Sequence, residues 1–278
     1  MKLLTKFKKV FGEGEELIPS SFDVVGSREK AVAIVEFPEN LKLKKLEVAK
    51  ALLRKHKNVK SVLEKVSERK GRLRLRKYTL IAGNPNTEVL HKEYGYVLKL
   101  DPQKVYFSPR EAYERQRIAT QVKAKESVLV MFSGIAPYCI AIAKSQPLAK
   151  IYGIEINRDA HEYALENVRI NRVLDRVSLF HGDVRKVLPK LKLKFDRIVM
   201  PLPKGAYRYL DIAIPALKKD GILHFYYWGK ENKLFDQAKK MIEKKALKFG
   251  RKVEIISYKE VLPYAPKKWK IVLDVKII

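Results

Sequence analysis

The sequence predicts a doubly wound α/β domain over residues 101–278, preceded by a smaller basic α+β domain over residues 1–100. Three observations carry that expectation. Beyond Asp101-Pro102, near-continuous apolar runs alternate with stretches of helical period, the pattern of parallel strands covered on both faces. Before that point, period-two and helix-period segments mix without regular alternation, and cationic residues crowd them. Finally, 278 residues exceed what one ordinary core needs and suit two.

In the first domain, Ala31-Val32-Ala33-Ile34-Val35-Glu36-Phe37 reads as a strand stopped by Pro38. Leu43, Leu46, Val48, Ala49, Leu52 and Leu53 recur at helix spacing, with Lys and Arg on the opposite face. Arg72-Leu73-Arg74-Leu75-Arg76-Lys77-Tyr78 alternates with period two and predicts a strand with one apolar and one cationic face. Tyr94 to Leu100 predicts one more strand. From Lys42 to Lys77 there are fifteen basic residues and three acidic ones, so the cationic face belongs to this domain.

In the second domain, strands are expected at Ser127–Phe132, Ile151–Glu155, Val177–Phe180, Arg197–Met200 and Gly221–Tyr226. Helices are expected at Asp159–Asn171 and Lys233–Lys248. The tail departs from the alternation: Val253–Tyr258 and Trp269–Ile277 have no helix between them. They are expected to pair antiparallel at the sheet's edge.

Composition narrows the function. Apolar residues make up 46%, no apolar run approaches membrane-spanning length, and the basic N-terminus lacks the apolar stretch of a secretory signal. A cytoplasmic protein without membrane contact is expected, a monomer by default. The one cysteine, Cys139, excludes an internal disulfide and a Cys-rich zinc site, and the five histidines show no metal-ligand spacing, so no metal is expected. Lys+Arg outnumber Asp+Glu 59 to 31, a formal charge of +28 with a pI near 9.9. Ion-pair networks of the thermophile kind account for many charges but need both signs, so the imbalance points to a polyanionic partner.

The chemistry is expected at strand ends. The first strand of the second domain leads into Phe132-Ser133-Gly134-Ile135-Ala136-Pro137, a turn where glycine would let a ligand approach the backbone. The turn is not G-x-G-x-x-G and no phosphate loop is visible; alone it could be a plain tight turn. Glu155 ends the next strand, 21 residues past Gly134, where a carboxylate can accept from both ribose hydroxyls or cap the following helix. Asp183, in His181-Gly182-Asp183-Val184, closes the third strand, within reach of an adenine amino group. Together these describe a nucleoside site without phosphate grips, and S-adenosylmethionine fits that description.

Longer motifs carry a resemblance. Val105-Tyr106-Phe107-Ser108-Pro109-Arg110 with Glu114-Arg115-Gln116-Arg117-Ile118 resembles the signature of the tRNA (guanine-37-N1)-methyltransferases. So do Met131–Pro137, Glu155 and the tail Tyr264-Ala265-Pro266-Lys267-Lys268-Trp269. Ile18–Asp23 and Tyr78–Gly83 look like that family's middle domain. The resemblance implies a Rossmann-like class I methyltransferase domain. It implies cofactor contacts at Ser108, Arg115, Phe132, Gly134, Glu155, Ile156, Asp183, Val184 and Pro201. Arg115 would pair with the cofactor carboxylate, unless it is a solvated helix arginine. Glu114 matches the acid near the target base and would take a proton there or orient Arg115. Arg74 and Arg76 could reach the target or its phosphates. Arg72, Arg74, Arg76, Lys77 and Lys204 would meet RNA phosphates, or be solvated cations, and Tyr106 would stack on a base or belong to the core.

Two departures bear on the branch. The family carries Asn-Leu-Pro after the fourth strand where this chain has Pro201-Leu202-Pro203, and Asp before the Met-Phe turn where it has Val130. Both remove polar groups that would hold the methionine half of the cofactor. The pattern is similar to the wybutosine-pathway branch that transfers the α-amino-α-carboxypropyl group to 4-demethylwyosine at position 37 of phenylalanine tRNA. The alternatives are methyl transfer at the same position and a non-catalytic tRNA-binding protein.

Overall fold

Ala31-Val32-Ala33-Ile34-Val35 is buried along its whole length, as a strand covered on both faces must be, and it anchors the first of two units. The computed structural model describes Ile18, Pro19, residues 21–67, Gly71, Leu73 and residues 75–278. It divides into compact units at Met1–Pro109 and Arg110–Ile278.

The first unit holds a four-stranded sheet ordered β1-β2-β3-β4: β1 (Asp23–Gly26), β2 (Ala31–Val35), β3 (Val59–Lys65) and β4 (Tyr78–Gly83). Helix α1 (Lys45–Lys55) is the crossover that lets β2 and β3 run parallel. Its buried residues are Val48, Ala49, Ala51 and Leu52. Leu43 and Leu46, expected on the same face, are 100% and 52% exposed. The chain enters α1 through a 3-10 turn, Glu39–Lys44, whose three residues per turn shift Leu43 out of phase with the α-helical stripe.

Two other expectations change here. The ladder between β3 and β4 runs out at the Lys65–Tyr78 pair, so β4 begins at Tyr78 rather than near Arg72. Arg72 and Arg74 lie outside the described residues. The strand expected over Tyr94–Leu100 is half of a hairpin, β5 (Val89–Glu93) and β6 (Tyr96–Leu100), joined by a two-residue turn at Tyr94-Gly95 with φ of 36° and 82°. Residues 101–109 stay with this unit. Asp101 accepts from Thr87 at 2.7 Å and from the Gln103 amide at 3.0 Å, and Phe107 meets His91 edge-on at 5.1 Å.

The second unit is a seven-stranded sheet ordered β12-β13-β11-β10-β7-β8-β9. Strands β7 (Ser127–Met131), β8 (Lys150–Glu155), β9 (Val177–His181), β10 (Phe195–Met200) and β11 (Leu217–Lys230) run parallel. Strand β13 (Lys268–Ile277) pairs antiparallel with β11, and β12 (Val253–Ala265) closes the edge antiparallel to β13. Helices α5 (Val184–Leu191), α6 (Leu210–Ala216) and α7 (Asp236–Leu247) share one apolar cluster with the sheet. Helices α2 (Ala112–Gln121), α3 (Pro137–Ser145) and α4 (Arg158–Ile170) pack against one another, and α2 meets the sheet's other face. The order reverses between β7 and β10, which places a switch-point crevice at their carboxyl ends. No described helix is long and apolar enough to cross a membrane.

Leu223 and Phe225 of β11 face the apolar cluster, so His224 between them faces α2. There a buried ionic chain crosses three strands. Arg117 of α2 grips Glu114 through Nε at 2.7 Å and Nη2 at 2.8 Å, and reaches Asp274 of β13 at 2.5 Å. Asp274 lies opposite His224 in the strand register and contacts its Nδ1 at 2.6 Å. Arg197 of β10 sits 2.7 Å from His224 Nε2 and pairs with Glu126 at 2.8 Å. An arginine can only donate, so Nε2 accepts, and the His224 proton sits on Nδ1, donating to Asp274. Beside this chain, Lys270 of β13 pairs with Glu111 at 2.7 Å.

Burial pushes His224 below its usual value, and the neighbouring Arg197 and Arg117 oppose the pull of Asp274. Burial alone would raise Asp274, but hydrogen bonds from His224 and the Arg117 guanidinium outweigh it and hold the carboxyl far below the usual carboxylate range. A histidine depressed in the fold takes up its proton first in the unfolded chain. Stability should therefore fall as pH drops below about 6.5, the unfolded value. Thermal unfolding between pH 8 and 5 should show this fall, and His224→Asn should flatten it. A wild-type profile that the variant reproduces would mean that His224 contributes none of it.

Candidate active site

Strand β7 is apolar to its end, and then the backbone turns sharply. Phe132, Gly134 and Ala136 adopt φ of 59°, 56° and 66°, left-handed at alternate positions. For Phe132 and Ala136 this conformation costs roughly 1–2 kcal/mol each, the kind of strain found where a turn must present its backbone. Ser133 donates to the Ile154 carbonyl at 2.9 Å, tying the turn to β8, and Pro137 then opens α3. A Cβ built on Gly134 would meet no heavy atom within 4 Å. The turn therefore faces open space.

Glu155, at the end of β8, fixes the turn from the other side. One oxygen accepts from the Gly134 amide at 2.7 Å, the other from the Asn157 amide at 2.7 Å. Burial raises its pKa, and the backbone amides of Asn157 and Gly134 partly offset the rise. Each carboxylate oxygen has a second lone pair, so acceptor capacity is left for hydroxyl donors. The helix-cap alternative for Glu155 does not hold. Asn157 caps α4, its side chain accepting from the Asp159 amide at 3.1 Å.

Asp183 follows β9 and caps α5, accepting from the Arg185 amide at 2.9 Å. That bond holds its carboxylate at the same edge as Glu155. Ile156 is half-buried, and its carbonyl meets His181 Nε2 at 3.2 Å. Pro201 follows β10, half-buried, with exposed Lys204 three residues on. Thus Phe132, Gly134, Glu155, Ile156, Asp183 and Pro201 all stand at the carboxyl ends of four adjacent parallel strands. Val184 begins α5 there, but its side chain is buried in the apolar cluster. Val130 is also buried, within β7.

Other expected residues are placed differently. Glu114 is buried, and its oxygens are engaged by Arg117 and by the Tyr226 hydroxyl at 2.5 Å. Its partner is Arg117 rather than Arg115 because residues three apart share a helix face and adjacent ones do not. Oε1 accepts twice and Oε2 once in this buried site, which holds Glu114 firmly against the sheet. Arg115 is 2% exposed, which excludes a solvated surface arginine. Ser108 and half-buried Tyr106 belong to the first unit, as do Arg76 and Lys77. Arg76 Nε is buried with no hydrogen-bond partner among the described residues. A guanidinium donor so placed is one that water or an anion can satisfy.

Some residues of the site escaped the sequence reading. Tyr209 packs edge-on against Phe132 at 4.9 Å, and Arg185 lies 5.0 Å over the Tyr209 ring while bonding Asp211 at 3.0 Å. These contacts link α5 to the segment after Lys204, and no local pattern announces them. Asn157 was legible as a helix-start residue before the apolar period of α4. Cys139 is fully buried and burial pushes its thiol up to about 12, which leaves it no thiolate chemistry. Among the described residues no group of three or more His, Cys, Asp or Glu could hold a metal.

Open space above Gly134, a buried carboxylate with spare acceptor positions, and a turn without phosphate-gripping glycines fit the nucleoside of S-adenosylmethionine. Comparison with known proteins agrees in kind. Residues 89–256 match the TRM5/TYW2 methyltransferase domain and residues 5–87 match the TYW2 N-terminal domain. The chain is 37% identical over 274 residues to the tRNA (guanine(37)-N(1))-methyltransferase Trm5b of Pyrococcus abyssi, covering 98% of this chain and 80% of that one. It is 31% identical over 222 residues to the tRNA(Phe) (4-demethylwyosine(37)-C(7)) aminocarboxypropyltransferase of Methanocaldococcus jannaschii, covering 80% and 88%. The crystal structure of P. horikoshii TYW2 in complex with MeSAdo superposes with a TM-score of 0.82 at 26% identity, covering 99% and 98%.

Glu155→Ala should weaken S-adenosylmethionine binding about ten-fold or more, the effect of losing hydrogen bonds to a charged acceptor. Calorimetric titration measures this, with circular dichroism verifying the fold. Wild-type affinity in the variant would remove Glu155 from the nucleoside site.

Proposed function

The chain belongs to the TRM5/TYW2 methyltransferase family, and on that premise we propose that it transfers the α-amino-α-carboxypropyl group of S-adenosylmethionine to 4-demethylwyosine at position 37 of phenylalanine tRNA. The coarser statement needs no proposal: this is a family of S-adenosylmethionine-dependent tRNA-modifying enzymes. What carries the finer one is Pro201 at the end of β10, beside the Phe132–Gly134 turn, where the methyl-transferring pattern has asparagine.

S-adenosylmethionine supplies a sulfonium with three carbons open to in-line displacement, and the carbon held near the nucleophile is the one that reacts. The residues act by position. Glu155 offers acceptors for ribose hydroxyls, and the Gly134 turn leaves room for the nucleoside. Asp183 offers a carboxylate where adenine would lie. Pro201 has no side-chain donor or acceptor, so β10 does not grip the methionine half as asparagine would. The γ-carbon of that half, presented to the base, would bond to the base carbon as its bond to sulfur breaks, methylthioadenosine would leave, and the displaced proton of the base would pass to solvent. The target base must come out of its stack to reach such a pocket. We assign Arg76, Lys77 and Lys204 to phosphates, with Arg72 and Arg74 as further candidates. Support comes from the net charge of +28 and the orphaned Arg76 donor.

A second reading is methyl transfer at the same tRNA position, favoured by the 37% identity to the P. abyssi methyltransferase. The released thioether separates the two. Incubation with cofactor and tRNA carrying 4-demethylwyosine should release methylthioadenosine; S-adenosylhomocysteine in its place would sink the transfer proposed here. Pro201→Asn restores a polar group at the turn and should raise the proportion of S-adenosylhomocysteine released. An unchanged product ratio would take Pro201 out of the choice between carbons.

A further inference from the structure

The tail motif Tyr264-Ala265-Pro266-Lys267-Lys268-Trp269 has no part in the nucleoside site, yet the fold builds a second feature around it. At the carboxyl end of β11 the chain folds back sharply. A Cβ on Gly229 would come 2.4 Å from the Leu234 carbonyl oxygen, so only glycine allows this approach. The fold-back is held by the Lys233 amide donating to the Lys230 carbonyl at 3.0 Å. It is tied to the β12–β13 turn by the Glu231 amide donating to the Lys267 carbonyl at 3.2 Å. Between the two turns lies an open groove of about 500 Å³, whose charged lining is Lys230, Lys233, Lys267 and Lys268 against Glu231.

Four cations face one carboxylate. Lys267 pairs with Glu231 at 3.6 Å, and among the described residues Lys230, Lys233 and Lys268 form no ion pair. Lys268 also joins the groove to an aromatic wall. Its ammonium lies 5.4 Å from the Tyr264 ring and 6.0 Å from the Trp228 ring, and those rings are 4.0 Å apart. Tyr264 is 55% exposed, so an aromatic side chain stands in solvent beside the lysines. A cationic groove flanked by an exposed aromatic is how proteins hold single-stranded nucleic acid, with phosphates on the cations and a base on the ring. The groove opens at the carboxyl end of β11, the same edge of the sheet that carries Gly134, Glu155 and Pro201.

We propose that this groove is an RNA-docking site of the catalytic unit: a single-stranded segment lays its phosphates on Lys230, Lys233 and Lys267 and stacks one base on Tyr264. The inference rests on the reading of tRNA as substrate and names where on this unit the RNA is held. The lysines supply affinity that depends on salt, and Tyr264 supplies stacking that does not. The two contributions separate by measurement.

The test uses the intact protein and a fluorescently labelled anticodon stem-loop RNA, titrated over a series of KCl concentrations. The triple variant Lys230→Ala/Lys233→Ala/Lys267→Ala should bind about ten-fold or more weakly at low salt. Its log–log salt dependence should be shallower by roughly two units, about 0.7 per lost phosphate contact on a single strand. Tyr264→Ala should bind about five-fold or more weakly with the slope unchanged, and Tyr264→Trp should restore affinity, as stacking requires. S-adenosylmethionine binding should stay at the wild-type value in all of them, showing that the fold is intact. Variants that bind RNA with wild-type affinity and slope, while thioether release continues, overturn the groove and leave the catalytic reading standing. The expected losses of binding in a protein that releases no thioether overturn the catalytic reading and leave the groove. No RNA binding by the wild type overturns both.

Discussion

The position of α2 on the sheet rests on one requirement: charges taken out of water must be paired. Glu114, Arg117, Asp274, His224 and Arg197 are all withdrawn into the layer between α2 and strands β10, β11 and β13. Each satisfies the next, and removing a charged member would leave its partner's buried charge uncompensated, a loss of several kcal/mol. An apolar interface would tolerate a sliding helix, but this one fixes α2 in register, because Arg117 must reach a carboxylate on its own helix and another on β13 at once. The signature helix is therefore held by its least apolar residues.

The same logic governs the turn after β7. Three left-handed residues in five put backbone amides where side chains would otherwise stand, and Glu155 accepts one of them while bracing the next strand end. The strain is local. Its counterweight is spread through the sheet, whose central strands are buried on both faces. A rigid floor beneath a strained, open turn is what positioning chemistry requires, since displacement at a sulfonium needs little more from the protein than placement.

The excess of cations takes two structural forms. In the first unit it follows a segment rich in Lys and Arg, where Arg76 keeps a buried donor without a partner among the described residues. In the second it gathers in a groove made by two turns that are far apart in sequence. Elsewhere many cations are neutralised locally, as Arg185 is by Asp211 and Lys218 by Asp196.

The parallel sheet, its antiparallel tail and the strand-end residues Gly134, Glu155 and Asp183 were legible in the chain before any fold was known. Apolar runs of strand length and acids at their ends are local patterns, and local patterns are legible one residue after another. The same patterns misjudged Leu43, whose phase was set by a 3-10 turn, and the start of β4, which was set by where β3 ends. Glu114 shows the larger limit. The resemblance implied that it acts near the target base or orients Arg115; helix geometry pairs it with Arg117 and Tyr226, which answers the second expectation alone. Tertiary structure alone decided the ionic chain, the Tyr209 and Arg185 contacts and the lysine groove. Each joins residues tens of positions apart, and pairing across such distances is fixed by which strands become neighbours, a property of the folded sheet and of no single segment.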